Sequence, residues 1–126
     1  MAMHYPFLLH ALLETPAAIN FLLRPLQQIS TPAPQAEAII RQYGVLLFVS
    51  VIIAAIFIKR PVDSASRHVS GALALYHLAP TARAFSRILT GDVVSGSAIG
   101  GPKLHVVVHL GCFLGLLELY INGRAG

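Results

Sequence analysis

His105 and His109 stand four residues apart in the last apolar stretch of the chain, with Cys112 three residues further on. At 100° per residue these three share one helical face, and two histidines at i and i+4 can ligate a metal ion or exchange a proton. The stretch has no His-Glu-x-x-His pattern, and Glu118 falls about 180° round the helix from His109. The expectation from the spacing is therefore bundle histidines, with no metal and no cofactor. His77 and Glu14 each sit in the middle of another apolar stretch, where an ionisable side chain turns inward, pairs, or lines a cavity. Glu14, His77, His109 and Glu118 are the candidate acid–base groups. Tyr76, Pro80, Arg83 and Arg87 fall within about 60° of one another on a helix. Tyr76, Arg83 and Arg87 are thus candidates for holding a headgroup or the polar end of a ligand. Gly111 and Gly115 form a small-xxx-small pair that lets a helix approach closely, inside the bundle or on a partner. Glu118 follows near that face.

Side chains like these need helices to hold them. Apolar residues make up 56% of the 126-residue chain, and Asp, Glu, Lys and Arg only 11%. Soluble domains carry roughly 25% charged residues, so the apolar surplus here must face something other than water. The expected architecture is one all-α domain over residues 1–126, a transmembrane four-helix bundle. Its spans are expected near residues 5–24, 39–58, 67–89 and 104–121. The second is the clearest. It has no charge from Gln42 to Ile58 and is closed by Lys59-Arg60-Pro61. The first holds His10, Glu14 and Pro16, and is read as a kinked span in preference to an interfacial helix followed by a half-span. Asp63, Ser64 or Ser66 is placed to cap the third, with Gly91 at its end. Residues 27–37 are expected to be an irregular loop and residues 90–102 a flexible one.

The net charge of +4 is scattered, which excludes a nucleic-acid track and suits loops meeting anionic lipid. The Lys59-Arg60 turn, the densest short basic loop, is expected on the cytoplasmic side. The first ten residues lack the Lys or Arg of a secretory signal, so the N-terminus is expected to be retained. Cys112, the only cysteine, is read as a packing residue. The chain has no Gly-rich phosphate loop, nucleophile elbow or Cys-pair zinc pattern.

The stretch Arg41-Gln42-Tyr43-Gly44 through Lys59-Arg60-Pro61, then Ala65-Ser66-Arg67 leading into Gly71-Ala72-Leu73-Ala74-Leu75-Tyr76-His77, resembles the small DoxX-like group of four-helix membrane proteins. Arg83-Ala84-Phe85-Ser86-Arg87 and the final Glu118-bearing helix fit the same layout, so the resemblance covers about residues 38–121. It implies a fold more than an activity. A looser resemblance, through Ala65-Ser66-Arg67 and the late Glu118, is to the four-helix scaffold family of ergosterol biosynthesis. The first functional expectation is a scaffold or lipid- and partner-binding bundle working through Gly111/Gly115 and Arg83/Arg87, alone or as a homo-oligomer. The alternative is a small membrane enzyme acting on a quinone, sterol or terpenoid with Glu14, His77, His109 and Glu118 around an intramembrane cavity.

Overall fold

The computed structural model describes residues 4–29, 31–91 and 100–123. It is an all-α four-helix bundle, with no strand among the described residues: α1 Tyr5–Leu23, α2 Pro34–Phe57, α3 Ser64–Leu89 and α4 Gly101–Asn122. The expected loop after residue 89 falls mostly at residues 92–99, outside the described residues.

Three helices begin earlier than the apolar pattern indicates, each for a local reason. In α2, Pro34 occupies the first turn, where its fixed φ suits the helix and its missing N–H costs nothing, and Glu37 sits at the positive end of the helix dipole. The expected irregular loop over residues 27–37 is thereby shortened to a single 3-10 turn, Pro25–Gln28, and the few residues after it. Pro102 plays the same part in α4. In α3, the Asp63 carboxylate accepts from the Ser66 backbone N–H (2.7 Å) while the Ser66 hydroxyl accepts from the Asp63 N–H (2.8 Å). This reciprocal capping box starts the helix three residues before the expected 67. Gly91, at φ 71°, ends it in the left-handed conformation that glycine adopts without strain.

The Ser66 backbone N–H is the main reason that the exposed Asp63 carboxyl lies below the usual carboxylate range. A carboxyl depressed in the fold stabilises it above the unfolded-state pKa, and that contribution disappears as pH falls through the folded value. Asp63→Ala should therefore lower Tm at neutral pH, and the gap should narrow in acid, as read by circular dichroism. A gap independent of pH would refute the role of the ionised cap.

α1 runs as one helix through Pro16. α1 packs mainly against α2 and α3 mainly against α4, and α1 meets α4 to join the two hairpins. At Gly44 the α2 backbone lies against α1, where a Cβ would stand 3.1 Å from the Leu22 amide nitrogen. The apolar core is the cluster Phe7, Ala54, Leu73, Ala74, Leu116 and Leu119, with Phe57 stacked near Phe7. It fills the end of the bundle where α1 and α3 begin. The Arg67 guanidinium donates to the Tyr120 carbonyl (2.9 Å), satisfying a helix C-terminus there.

The outside of the bundle is apolar. On α2 only Gly44, Leu47 and Ala54 are buried, while Val45, Leu46, Ile52 and Ile56 face outward. α1, α2 and α4 are each long and apolar enough to cross a membrane. α3 has 26 residues but carries Arg67, Arg83 and Arg87. Its face toward the other helices is also polar, with Ser66, Ser70 and His77 buried.

Candidate functional site

Ionisable side chains from three helices meet inside the bundle, close to the midpoints of the helices. His10 and Glu14 come from one face of α1, Tyr76 and His77 from α3, and His109 from α4. Their relative exposures are 0% for His10 and His77, 1% for Glu14 and 9% for His109. Ser50 of α2 closes the group.

The hydrogen bonds form a single chain. His109 Nδ1 and His77 Nδ1 are 2.9 Å apart, His77 Nε2 and His10 Nδ1 are 2.9 Å apart, and His10 Nε2 lies 3.1 Å from Ser50 Oγ. One fixed acceptor orients all of it. The Ser50 hydroxyl gives its only proton to the Leu47 carbonyl (2.7 Å) and so must accept from His10 Nε2–H. His10 Nδ1 is then an acceptor, and His77 Nε2–H donates to it. His77 Nδ1 is left with a lone pair, toward which His109 Nδ1–H points. Each neutral imidazole thus has one assigned tautomer.

Glu14 stands beside this chain. Its Oε2 accepts from the Tyr76 hydroxyl at 3.0 Å. Its Oε1 is buried with no hydrogen-bond partner, yet lies 3.7 Å from His77 Nδ1 and 3.5 Å from His109 Nδ1. A buried acceptor without a partner costs on the order of 1–3 kcal/mol, more if charged. Three potential ligand atoms, Glu14 Oε1, His77 Nδ1 and His109 Nδ1, therefore surround one point. His10 also brings a ligand atom to within 4.8 Å of Glu14 and His77. Its Nδ1, however, is engaged by His77 Nε2, the other ring nitrogen from the one that faces Glu14 and His109.

The positions singled out in the sequence separate. Glu14, His77 and His109 come together. Glu118 is exposed and does not join them, because α4 buries His109, Cys112, Leu116 and Leu119 and so turns the opposite side outward. Gly111 is on that outer side, where a Cβ would meet nothing within 4 Å, so it packs no helix of this chain. Gly115 lies near Pro6 of α1, 3.8 Å from where its Cβ would be. His105 does not act with His109 on one ligand. Its Nδ1–H donates to the Gly101 carbonyl at 2.9 Å, and its ring centre is 5.9 Å from that of His109. The Tyr76-Arg83-Arg87 stripe divides as well. Tyr76 turns to Glu14, while Arg83 lines a groove at the far end of α1 that includes neither Tyr76 nor Arg87.

His10 and Ser50 are the members that reading the sequence missed. The signal for His10 was its spacing of four from Glu14, the same spacing as in the His105/His109 pair that drew attention. Nothing local marks Ser50. No family model, curated protein or solved structure matches this chain.

Proposed function

We propose that this is an integral membrane protein, with α3 as its fourth span, whose bundle interior holds one divalent transition-metal ion between Glu14, His77 and His109. The observation that carries this reading is the spacing of the three ligand atoms, 2.9, 3.5 and 3.7 Å. Ligands about 2.0–2.1 Å from a tetrahedral ion stand about 3.4 Å from one another, so the cluster is already close to one face of such a site. Two imidazoles and a carboxylate suit zinc or ferrous iron, and three protein ligands leave a further position open. The ion would also supply the positive charge that the unpartnered Glu14 oxygen lacks.

The imidazole chain prepares the site. His77 needs no change of tautomer, because its Nε2–H is already committed to His10 and its Nδ1 lone pair already faces the triad, whereas His109 must carry its proton on Nε2 in place of Nδ1 when the ion binds. His10 and Ser50 act as positioning residues, as hydrogen-bond partners of ligating histidines do. Ser50→Ala removes the acceptor that fixes His10. It should weaken metal binding about tenfold with the helices intact, and equal affinity would remove Ser50 from the account.

The direct test is Co2+ titration of chelator-stripped protein in detergent, followed by visible absorption. The expected result is one equivalent bound, with the intense bands of a four- or five-coordinate site. Protein that stays colourless, or shows only the weak bands of the hydrated ion, would defeat the reading. A scaffold working only through its outer faces gives the buried core no task. An acid–base enzyme using Glu118 loses that residue to the surface, although an open ligand position keeps metal-assisted chemistry on a lipophilic substrate within reach.

A further inference from the structure

At the opposite end of α1 from the apolar core, a groove of about 360 Å³ is bordered by Phe21, Gln28, Ile29, Ala36, Ile39, Ile40, Tyr43 and Arg83. A volume of this size is within the range of small-ligand sites. Its walls are apolar except for the Gln28 amide, the Tyr43 hydroxyl and the Arg83 guanidinium. Among the described residues no carboxylate lies within 4.0 Å of that guanidinium. A cation at the rim of an apolar trough complements an anionic head on an apolar chain. The groove lies between the 3-10 turn and the first turns of α2, and its volume of about 360 Å³ suits one chain better than two.

The geometry points to this groove as a binding site for a single-chain lipid with a carboxylate head. The carboxylate sits on Arg83, whose planar fork can bind it in two-point fashion. The chain runs along Phe21, Ile29, Ile39 and Ile40. Tyr43 holds the inner wall, its ring 5.7 Å from that of Phe21. The site stands on the groove alone and does not require a metal.

The test uses the full chain in detergent, stripped of metal by chelator, with palmitate and hexadecanol as probes in isothermal titration. Palmitate is expected to bind at one site. Arg83→Gln should weaken palmitate at least tenfold and leave hexadecanol unchanged, and Ala36→Phe, which fills the trough, should weaken both. Unchanged palmitate affinity in Arg83→Gln, or equal binding of the two probes by the wild type, overturns the carboxylate assignment. Unchanged affinity in Ala36→Phe overturns the groove as the location. Displacement of palmitate by an equimolar anionic diacyl phospholipid overturns the single-chain assignment. Because metal is absent throughout, none of these outcomes depends on the triad.

Discussion

Glu14→Gln is expected to abolish tight metal binding while leaving the bundle folded. The substitution keeps the shape of the side chain, and its amide oxygen can still accept from the Tyr76 hydroxyl that now donates to Oε2 at 3.0 Å. Its amide N–H₂ takes the place of Oε1, which has no hydrogen-bond partner to lose. What is lost is the anionic ligand, the only charge-neutralising group of the three. Co2+ affinity should fall by more than about 100-fold, beyond the 10- to 100-fold cost of losing an outer-shell partner. His77→Ala should lose as much, but it also removes hydrogen-bond partners from His10 and His109, at about 1–3 kcal/mol for each group left buried. Glu14→Gln is therefore the cleaner experiment, with circular dichroism to confirm helix content. Co2+ binding by Glu14→Gln at wild-type affinity would place the ion elsewhere.

The largest structural effect is expected at Gly44. A Cβ there would lie 3.0 Å from Leu22 Cγ, 3.1 Å from the Leu22 amide nitrogen and 3.1 Å from Phe21 Cβ. A side-chain end can swing away, but the backbone of α1 cannot move without shifting the helix that carries His10 and Glu14. Gly44→Leu should cost at least about 2–3 kcal/mol, at the upper end for overpacking. That is a large share of the 5–15 kcal/mol by which folds are usually held. It should also loosen the metal site, because α1 supplies the carboxylate. Gly111→Leu is the control, since a Cβ there meets nothing within 4 Å. Thermal unfolding in detergent should lower Tm strongly for Gly44→Leu and leave Gly111→Leu near the wild type. Equal effects at the two glycines would mean that the α1–α2 contact is not as close as described.

The helices themselves were legible in the chain. Long apolar runs, one bounded by Arg41 and Lys59-Arg60-Pro61 and one preceded by Lys103, mark where two of them lie, and the errors were at starts fixed by Pro34, Asp63-Ser66 and Gly101-Pro102. Part of the site was legible too. The half-turn between His109 and Glu118 means that only one of them can face inward, and the structure selects His109. Convergence was not legible. Periodicity assigns a residue to a face of its own helix, but the triad depends on which helices are neighbours and how far each slides along the others. Glu14, His77 and His109 are 63 and 32 positions apart in sequence, so no local pattern relates them. His10 was passed over because a histidine in an apolar run reads first as a cost to membrane insertion. Only the height of Ser50 on α2 and the rotation of α3 turn that cost into a hydrogen-bonded chain.

The arrangement has an energetic logic. Apolar side chains on the outside and ionisable ones within invert a soluble domain, an inversion that lipid around the bundle would stabilise. A carboxylate at membrane depth costs at least about 2.5–3.5 kcal/mol on insertion scales. Glu14 meets that cost with one hydrogen bond from Tyr76 and leaves its second oxygen free beside two imidazole nitrogens. A bound cation compensates this arrangement more completely than any neutral group in its reach.

The most direct test is anomalous diffraction at the zinc edge from crystals of the full chain grown with Zn2+. The account expects one strong peak inside the bundle, about 2.0–2.2 Å from Glu14 Oε1, His77 Nδ1 and His109 Nδ1, with His10 still bonded to the far nitrogen of His77. A core without a peak, with zinc only at surface histidines such as His4, His68 or His105, would contradict it.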